Sequence, residues 1–364
     1  MKVLLLNNSL ANGGLERQLV LLARNLPVAW ERRLWCMEGG PHEGAVARAG
    51  VPLRVRSRQG RWDVTPALDL WRVIRDWRPD VVHAWQWMPA AAAVPACSAL
   101  GIPLIDGSIR MGSVPQQFGR PRRGIMRFAA LVVANSRAGL DAWRVDSAKG
   151  RVIYNAFDDT RLRASALGAS RDDSPGRPFT AIMAARMDPP KDFRTVIGAA
   201  RHLIAARRGD WRFVFVGSGV DRGALLREAG DLVSAGVVVF PEPGIEIMQL
   251  VRGADVGLLV TDPAILAEGC SNSIMEYMAC SLPVVASDSG GDRELVRDGV
   301  TGFIVPPRDS RALASRLDML CHDPGLRARL GAAGRERVEA EFTLERMVAE
   351  YVSAYAHVVA ERRR

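Results

Sequence analysis

Short, mostly apolar runs alternate along the chain with stretches whose apolar residues recur every three or four positions. Val3-Leu4-Leu5-Leu6, Leu34-Trp35-Cys36-Met37, Leu53-Arg54-Val55-Arg56, Asp80-Val81-Val82-His83-Ala84-Trp85, Ile102-Pro103-Leu104-Ile105-Asp106-Gly107 and Leu131-Val132-Val133-Ala134 read as strands of a first sheet. Runs over 179–185, 213–219, 237–240, 256–260, 282–287 and 302–305 read as strands of a second. Helical spacing fills the intervals, at 15–23, 67–77, 193–206, 221–229 and 245–252, and continues from 311 to the C-terminus. Strands alternating with helices predict parallel sheets covered on both faces. The small, polar, breaker-rich stretch 164–178 reads as a linker. The expectation is an α/β chain of two doubly wound, Rossmann-like domains, 1–163 and 179–345, with a C-terminal helix over 346–364 that packs back on the first domain.

The most informative stretch is Glu268-Gly269-Cys270-Ser271-Asn272-Ser273-Ile274-Met275-Glu276, with two carboxylates eight positions apart. Ser, Asn and Ser start helices, because their side-chain oxygens accept the free N–H groups of a first turn. Glu268 therefore belongs to the loop before a helix and Glu276 to its first turns. A helix start suits a phosphate, and a carboxylate beside it accepts hydrogen bonds from hydroxyls. The plainer alternative is a capping box, Ser273 to Glu276, that touches no ligand. The strand that follows ends in Asp288-Ser289-Gly290-Gly291, where bare backbone can approach a ligand at the carboxyl edge of a parallel sheet.

Three weaker signals accompany it. Gly13-Gly14, between the first strand and helix, allows backbone N–H groups near a pyrophosphate, although a tight turn is the commoner reason for such a pair. It is not a G-x-G-x-x-G loop. Arg186 at a strand end and Lys191 beyond a proline turn can aim two cations at a diphosphate, or can simply lie on the surface. His83 with Trp85 and Trp87, and Arg110 after the fifth strand, are candidates for an acceptor site, since aromatic faces stack on sugars; a structural histidine and a surface arginine are the alternatives.

Composition narrows the classes. A net charge of +9, with lysine only at Lys2, Lys149 and Lys191, favours acidic partners. No nucleic-acid-binding signature accompanies the basic run at 120–128, which reads as a solvated face or as a foot on an anionic membrane. No stretch is long and apolar enough to span a bilayer, and the apolar start lacks a cleavage site, so a cytoplasmic protein, peripheral at the inner membrane face if it meets one, is expected. Five scattered cysteines offer no zinc pattern.

Arg186 with Lys191, Gly217-Ser218-Gly219, Glu268 and Glu276, Leu282-Pro283-Val284-Val285-Ala286, Gly290-Gly291, Glu294 and Thr301-Gly302 together resemble the retaining glycosyltransferases of family 4. Gly13-Gly14-Leu15-Glu16-Arg17 and Asn155 extend the resemblance into the first half. It implies a GT-B fold, two domains facing a central cleft, and a nucleotide-sugar donor, with UDP favoured. Glu268 would contact the sugar, Glu276 the ribose, and Arg186 and Lys191 the diphosphate. Backbone near Gly14, Gly217, Ser271, Asn272 and Ser273 would assist. Transfer would retain configuration and need neither cofactor nor metal. The acceptor would be a lipid-linked glycan or a small glycoside near His83 and Arg110. Ala156, Ser281, Trp85 and Gly107 depart from the family pattern, mostly on the acceptor side. Sugar-nucleotide epimerisation or hydrolysis, or a catalytically idle glycan-binding partner subunit, are the alternatives.

Overall fold

The structure is a computed structural model and describes residues 1–60, 62–115, 119–165, 174, 176–207, 209–242 and 245–362. The chain forms two compact units. Met1–Arg110, Val114–Ala156 and Leu344–Arg364 make the first; Met111–Ser113 and Phe157–Thr343 make the second.

In the first unit, β1 (Lys2–Asn7), β2 (Glu31–Cys36), β3 (Leu53–Val55), β4 (Val81–Ala84), β5 (Leu104–Ile109), β6 (Leu131–Ala134) and β7 (Gly150–Val152) form a parallel sheet. Its order among the described residues is β3-β2-β1-β4-β5-β6-β7. β1 and β4 are adjacent, with Val3 opposite Val81, and the direction of winding reverses between them. Every residue of β4 and β5 is buried, which is why these strands carry apolar residues on both faces. The C-terminal helix Leu344–Arg362 belongs to this unit. Its Met347, Tyr351, Ala354, Tyr355 and Val358, spaced every three or four residues, share a core with Val3, Leu5, Val81 and Trp85.

The second unit repeats the plan with β8 (Phe179–Ala184), β9 (Trp211–Val216), β10 (Val238–Val239), β11 (Val256–Leu259), β12 (Val284–Ser287) and β13 (Gly302–Val305). The order is β10-β9-β8-β11-β12-β13, so winding reverses between β8 and β11. Its core runs from Phe193, Val196 and Phe215 to Leu313 and Leu317.

The division between units differs from the sequence expectation. Residues 157–163, assigned there to the first domain, belong to the second unit. Polar contacts hold them: Arg161 pairs with Glu276, and the Arg252 guanidinium donates to the Leu162 carbonyl at 2.6 Å. Most of the expected linker, 166–173 and 175, lies outside the described residues.

Ser281 closes the helix Asn272–Ala279 in a left-handed conformation with φ 56°. The Ser281 and Leu282 N–H groups return to the carbonyls of Met278 and Tyr277 at 2.9 and 3.0 Å. Glycine takes this position without steric penalty. Ser281→Gly should stabilise the protein by about 0.5–1 kcal/mol, read as a raised urea midpoint; an unchanged or lowered midpoint would show that the serine is not strained.

Candidate functional site

β8 and β11 pair only through Ala181 with Val256 and Ile182 with Gly257, and their carboxyl ends then separate. The helix Asn272–Ala279 fills the opening. The Ala184 N–H donates to Tyr277 Oη at 2.7 Å, and the Ala184 carbonyl accepts from Ser273 Oγ at 2.6 Å. The Tyr277 ring lies on Gly257, where a Cβ would fall 2.2 Å from the ring. The helix start is thereby fixed at the reversal point of the sheet, where open α/β sheets bind ligands. Ser273 lies inside this helix and spends its hydroxyl on Ala184, so the capping-box alternative does not hold.

Glu268 is held on several sides. Its carboxylate pairs with Lys191 and accepts from Thr261 Oγ1 at 2.8 Å. Its carbonyl accepts from the Gly291 N–H at 2.9 Å. Gly290, at φ 55°, passes so close that a Cβ would lie 2.3 Å from that carbonyl. Met111 bridges Glu268, and the Ala267 N–H donates to Ser113 Oγ at 2.9 Å. Lys191 and Thr261 also bridge by backbone, joining the loops after β8 and β11. Glu276 is buried and pairs with Arg161, which lies 3.5 Å from Glu246 as well.

The other expected residues are placed less uniformly. Arg186 does not converge with Lys191. Its side chain is 79% exposed and pairs with Asp188, because each cation settles on the carboxylate nearest to it. Gly217, at φ 139°, lets the end of β9 lie on the loop after β8; a Cβ would meet the Ala185 carbonyl at 2.1 Å. Ser271 is the N-cap of the helix and Asn272 its first residue.

Gly13, Gly14, His83 and Arg110 lie in the first unit. Gly13 caps the helix Gly14–Asn25 in an extended conformation, and Glu16 Oε2 occupies the space beside it. His83 corrects the expectation of a ligand contact. It is completely buried, with Nδ1 2.7 Å from Tyr355 Oη and its ring against Trp85 and Tyr351. Burial, then the charge of Arg110, hold its pKa well below the ordinary value, so the imidazole is neutral. At Gly107 a Cβ would come 2.5 Å from His83 Nε2, which gives a steric reason for glycine there. Arg110 is partly exposed, with Cζ 4.1 Å from the centre of the Trp85 ring.

Sequence reasoning missed Thr261, Arg161 and Asp292. Arg161 and Thr261 reach the two glutamates from separate segments and leave no local pattern. Asp292 follows Gly290-Gly291 directly, which was a usable signal. It is fully buried, and neither carboxyl oxygen has a hydrogen-bond partner among the described residues. Burial first, then the charges of Glu268 and Asp288, push its pKa well above the usual carboxylate range, against the pull of Lys191. Burial thus disfavours the ionised form of its carboxyl.

Two doubly wound units with ligand-edge clusters define the class, an α/β protein of GT-B architecture. Anabaena HepE, solved with UDP and glucose, superposes with a TM-score of 0.82 over 98% of this chain and 99% of its own, at 22% identity. The family profile for glycosyltransferase family 4 matches residues 12–161, and that for glycosyl transferases group 1 matches 178–323. A D-inositol 3-phosphate glycosyltransferase of Salinispora tropica is 30% identical over 318 residues, 78% of this chain but 65% of that protein. A GDP-mannose-dependent monoacylated alpha-(1-6)-phosphatidylinositol monomannoside mannosyltransferase of Corynebacterium glutamicum is 35% identical over 168 residues, 44% of this chain and 43% of its own. The chain belongs to the family 4 glycosyltransferases. It spans about two thirds, or less, of the length of these curated relatives.

A carboxyl whose pKa is raised by folding contributes stability below its unfolded pKa, and that contribution is lost as pH rises toward the folded value. Asp292→Asn should flatten the decline in melting temperature with pH above about 4, the unfolded pKa of aspartate, and raise the melting temperature at pH 7. A parallel decline in wild type and variant would show that Asp292 is not the buried acid described.

Proposed function

We propose that the protein is a retaining, metal-independent glycosyltransferase that transfers a sugar from a nucleotide-sugar, UDP-linked in preference, to a hydroxyl of a lipid-linked glycan or small glycoside. The observation that carries the proposal is the cluster of Lys191, Glu268 and Thr261 beside the start of the helix that bears Glu276. Glu268 accepts the hydroxyls of the donor sugar and Glu276 those of the ribose. Lys191 and the helix start receive the diphosphate, whose charge grows as the glycosidic bond breaks. Arg186, largely in solvent, swings from Asp188 to join them at small cost. Positioning and charge stabilisation then let the acceptor attack from the side of the leaving group.

The relatives support the substrate class: one is named for an inositol phosphate, one for GDP-mannose, and HepE was solved with UDP and glucose. The first unit takes the acceptor. Among the described residues no helix is long and apolar enough to cross a membrane. The helix Gly119–Met126 presents exposed Arg120 and Arg123, followed by exposed Arg127 and a 63% exposed Phe128, a surface suited to a cytoplasmic membrane face. Arg122 of the same run turns inward, 4.7 Å from the Trp143 ring centre.

Thermal melting against nucleoside diphosphates and their sugars, with and without EDTA, tests this reading. A ligand at 100 times its dissociation constant adds about 2.7 kcal/mol. UDP should stabilise the wild type regardless of EDTA, and Lys191→Ala should weaken it about tenfold or more, ~1.4 kcal/mol. Failure of every nucleotide to shift the melt sinks the proposal. Consumption of UDP-sugar without acceptor favours an epimerase or hydrolase, and binding without turnover an idle subunit.

A further inference from the structure

Arg110 stands at the carboxyl end of β5, beside Trp85 at the end of β4. Its guanidinium stacks on the Trp85 ring at 4.1 Å and lies near Tyr351 of the C-terminal helix. Two of its nitrogens, Nε and Nη2, are shielded from solvent and have no partner among the described residues. They form one edge of the fork, the edge that grips an oxyanion with two parallel hydrogen bonds. By contrast, Arg161 is paired with Glu276 and Arg177 with Asp255. The carboxyl that senses Arg110 is Asp106, and it is engaged by Ser108, whose N–H donates to Oδ1 at 2.9 Å. Trp85 Nε1, another buried donor without an acceptor, belongs to the same cluster.

Donors shielded from water and left without acceptors are costly to a folded chain. Here they gather at the ligand edge of the first sheet, and among the described residues no carboxylate forms an ion pair with the guanidinium. Stacking on Trp85 restrains the guanidinium plane, which lowers the entropic cost of binding.

We infer that the free edge of Arg110 binds an oxyanion of the acceptor, of the phosphate or carboxylate type, so that the acceptor is an anionic molecule and not a neutral glycoside. This rests on the reading of the first unit as the acceptor side. Trp85 supplies the floor under the fork, and Tyr351 couples the site to the C-terminal helix.

Calorimetry on the full chain, with saturating UDP to fill the donor's diphosphate site, tests the inference using inorganic phosphate and acetate as probes. Wild type should bind at least one. Phosphate alone indicates a phosphate ester on the acceptor; acetate at comparable strength indicates a carboxylate. Arg110→Met should weaken the bound probe at least tenfold. Arg110→Lys, which keeps the charge and loses the fork, should fall between. UDP affinity should be the same in all three, which also certifies that the variants fold; if Arg110→Met does not fold, the wild type against Arg110→Lys decides. No binding of either probe to wild type, or equal binding by the variants, overturns the inference. A wild type that binds phosphate through Arg110 but ignores UDP would sink the donor reading and leave the anion site standing.

Discussion

Two backbone groups of Ala184 determine where the second unit can hold a ligand. At a reversal point the strands on either side lose each other as partners, and a buried N–H or carbonyl left unpaired costs about 1–3 kcal/mol. Tyr277 and Ser273 take up that N–H and carbonyl from neighbouring turns of one helix. A helix held at two points to adjacent atoms can neither slide nor rotate. Glu276, next in sequence to Tyr277, is placed by the same restraint, and so is the loop that carries Glu268. Gly257 completes the fit, since any side chain there would displace the tyrosine ring.

Charge is arranged on this frame with little left over. Lys191 answers Glu268, Arg161 answers Glu276 and Arg186 answers Asp188. Pairing of this kind holds the two glutamates in one place. Asp292 would have been a third negative charge in the same small volume. Burial first, then the charges of Glu268 and Asp288, disfavour its ionised form, against the pull of Lys191.

The sheets were legible because their strands are apolar on both faces and are punctuated by Gly, Pro and Asn. The Glu268 to Glu276 stretch was legible because helix-start chemistry and a glycine-ended strand agree locally. Partners that arrive from elsewhere in the chain were not legible. Arg161 joins Glu276 across 115 positions, and Thr261 reaches Glu268 by the course of the chain after β11. The same polar contacts drew residues 157–163 into the second unit, although nothing in their composition sets them apart from the first. Arg186 and Lys191 were read as one cationic pair from spacing alone, and spacing does not see that Asp188 lies nearer to Arg186.

His83 shows the same limit more sharply. Its position at the end of β4 resembles a ligand position in every local respect. The residue that decides its role is Tyr355, far along the chain on a helix that covers the ring and bonds Nδ1. His83 is committed to the core, and a side chain at Gly107 would meet its Nε2. Among the described residues, the buried groups there without a hydrogen-bond partner are His83 Nε2, Trp85 Nε1 and two nitrogens of Arg110. Trp85 and Gly107, two departures from the family pattern, both pack against His83. The indole that stands after His83 is a floor for Arg110, and the glycine makes room for the buried histidine.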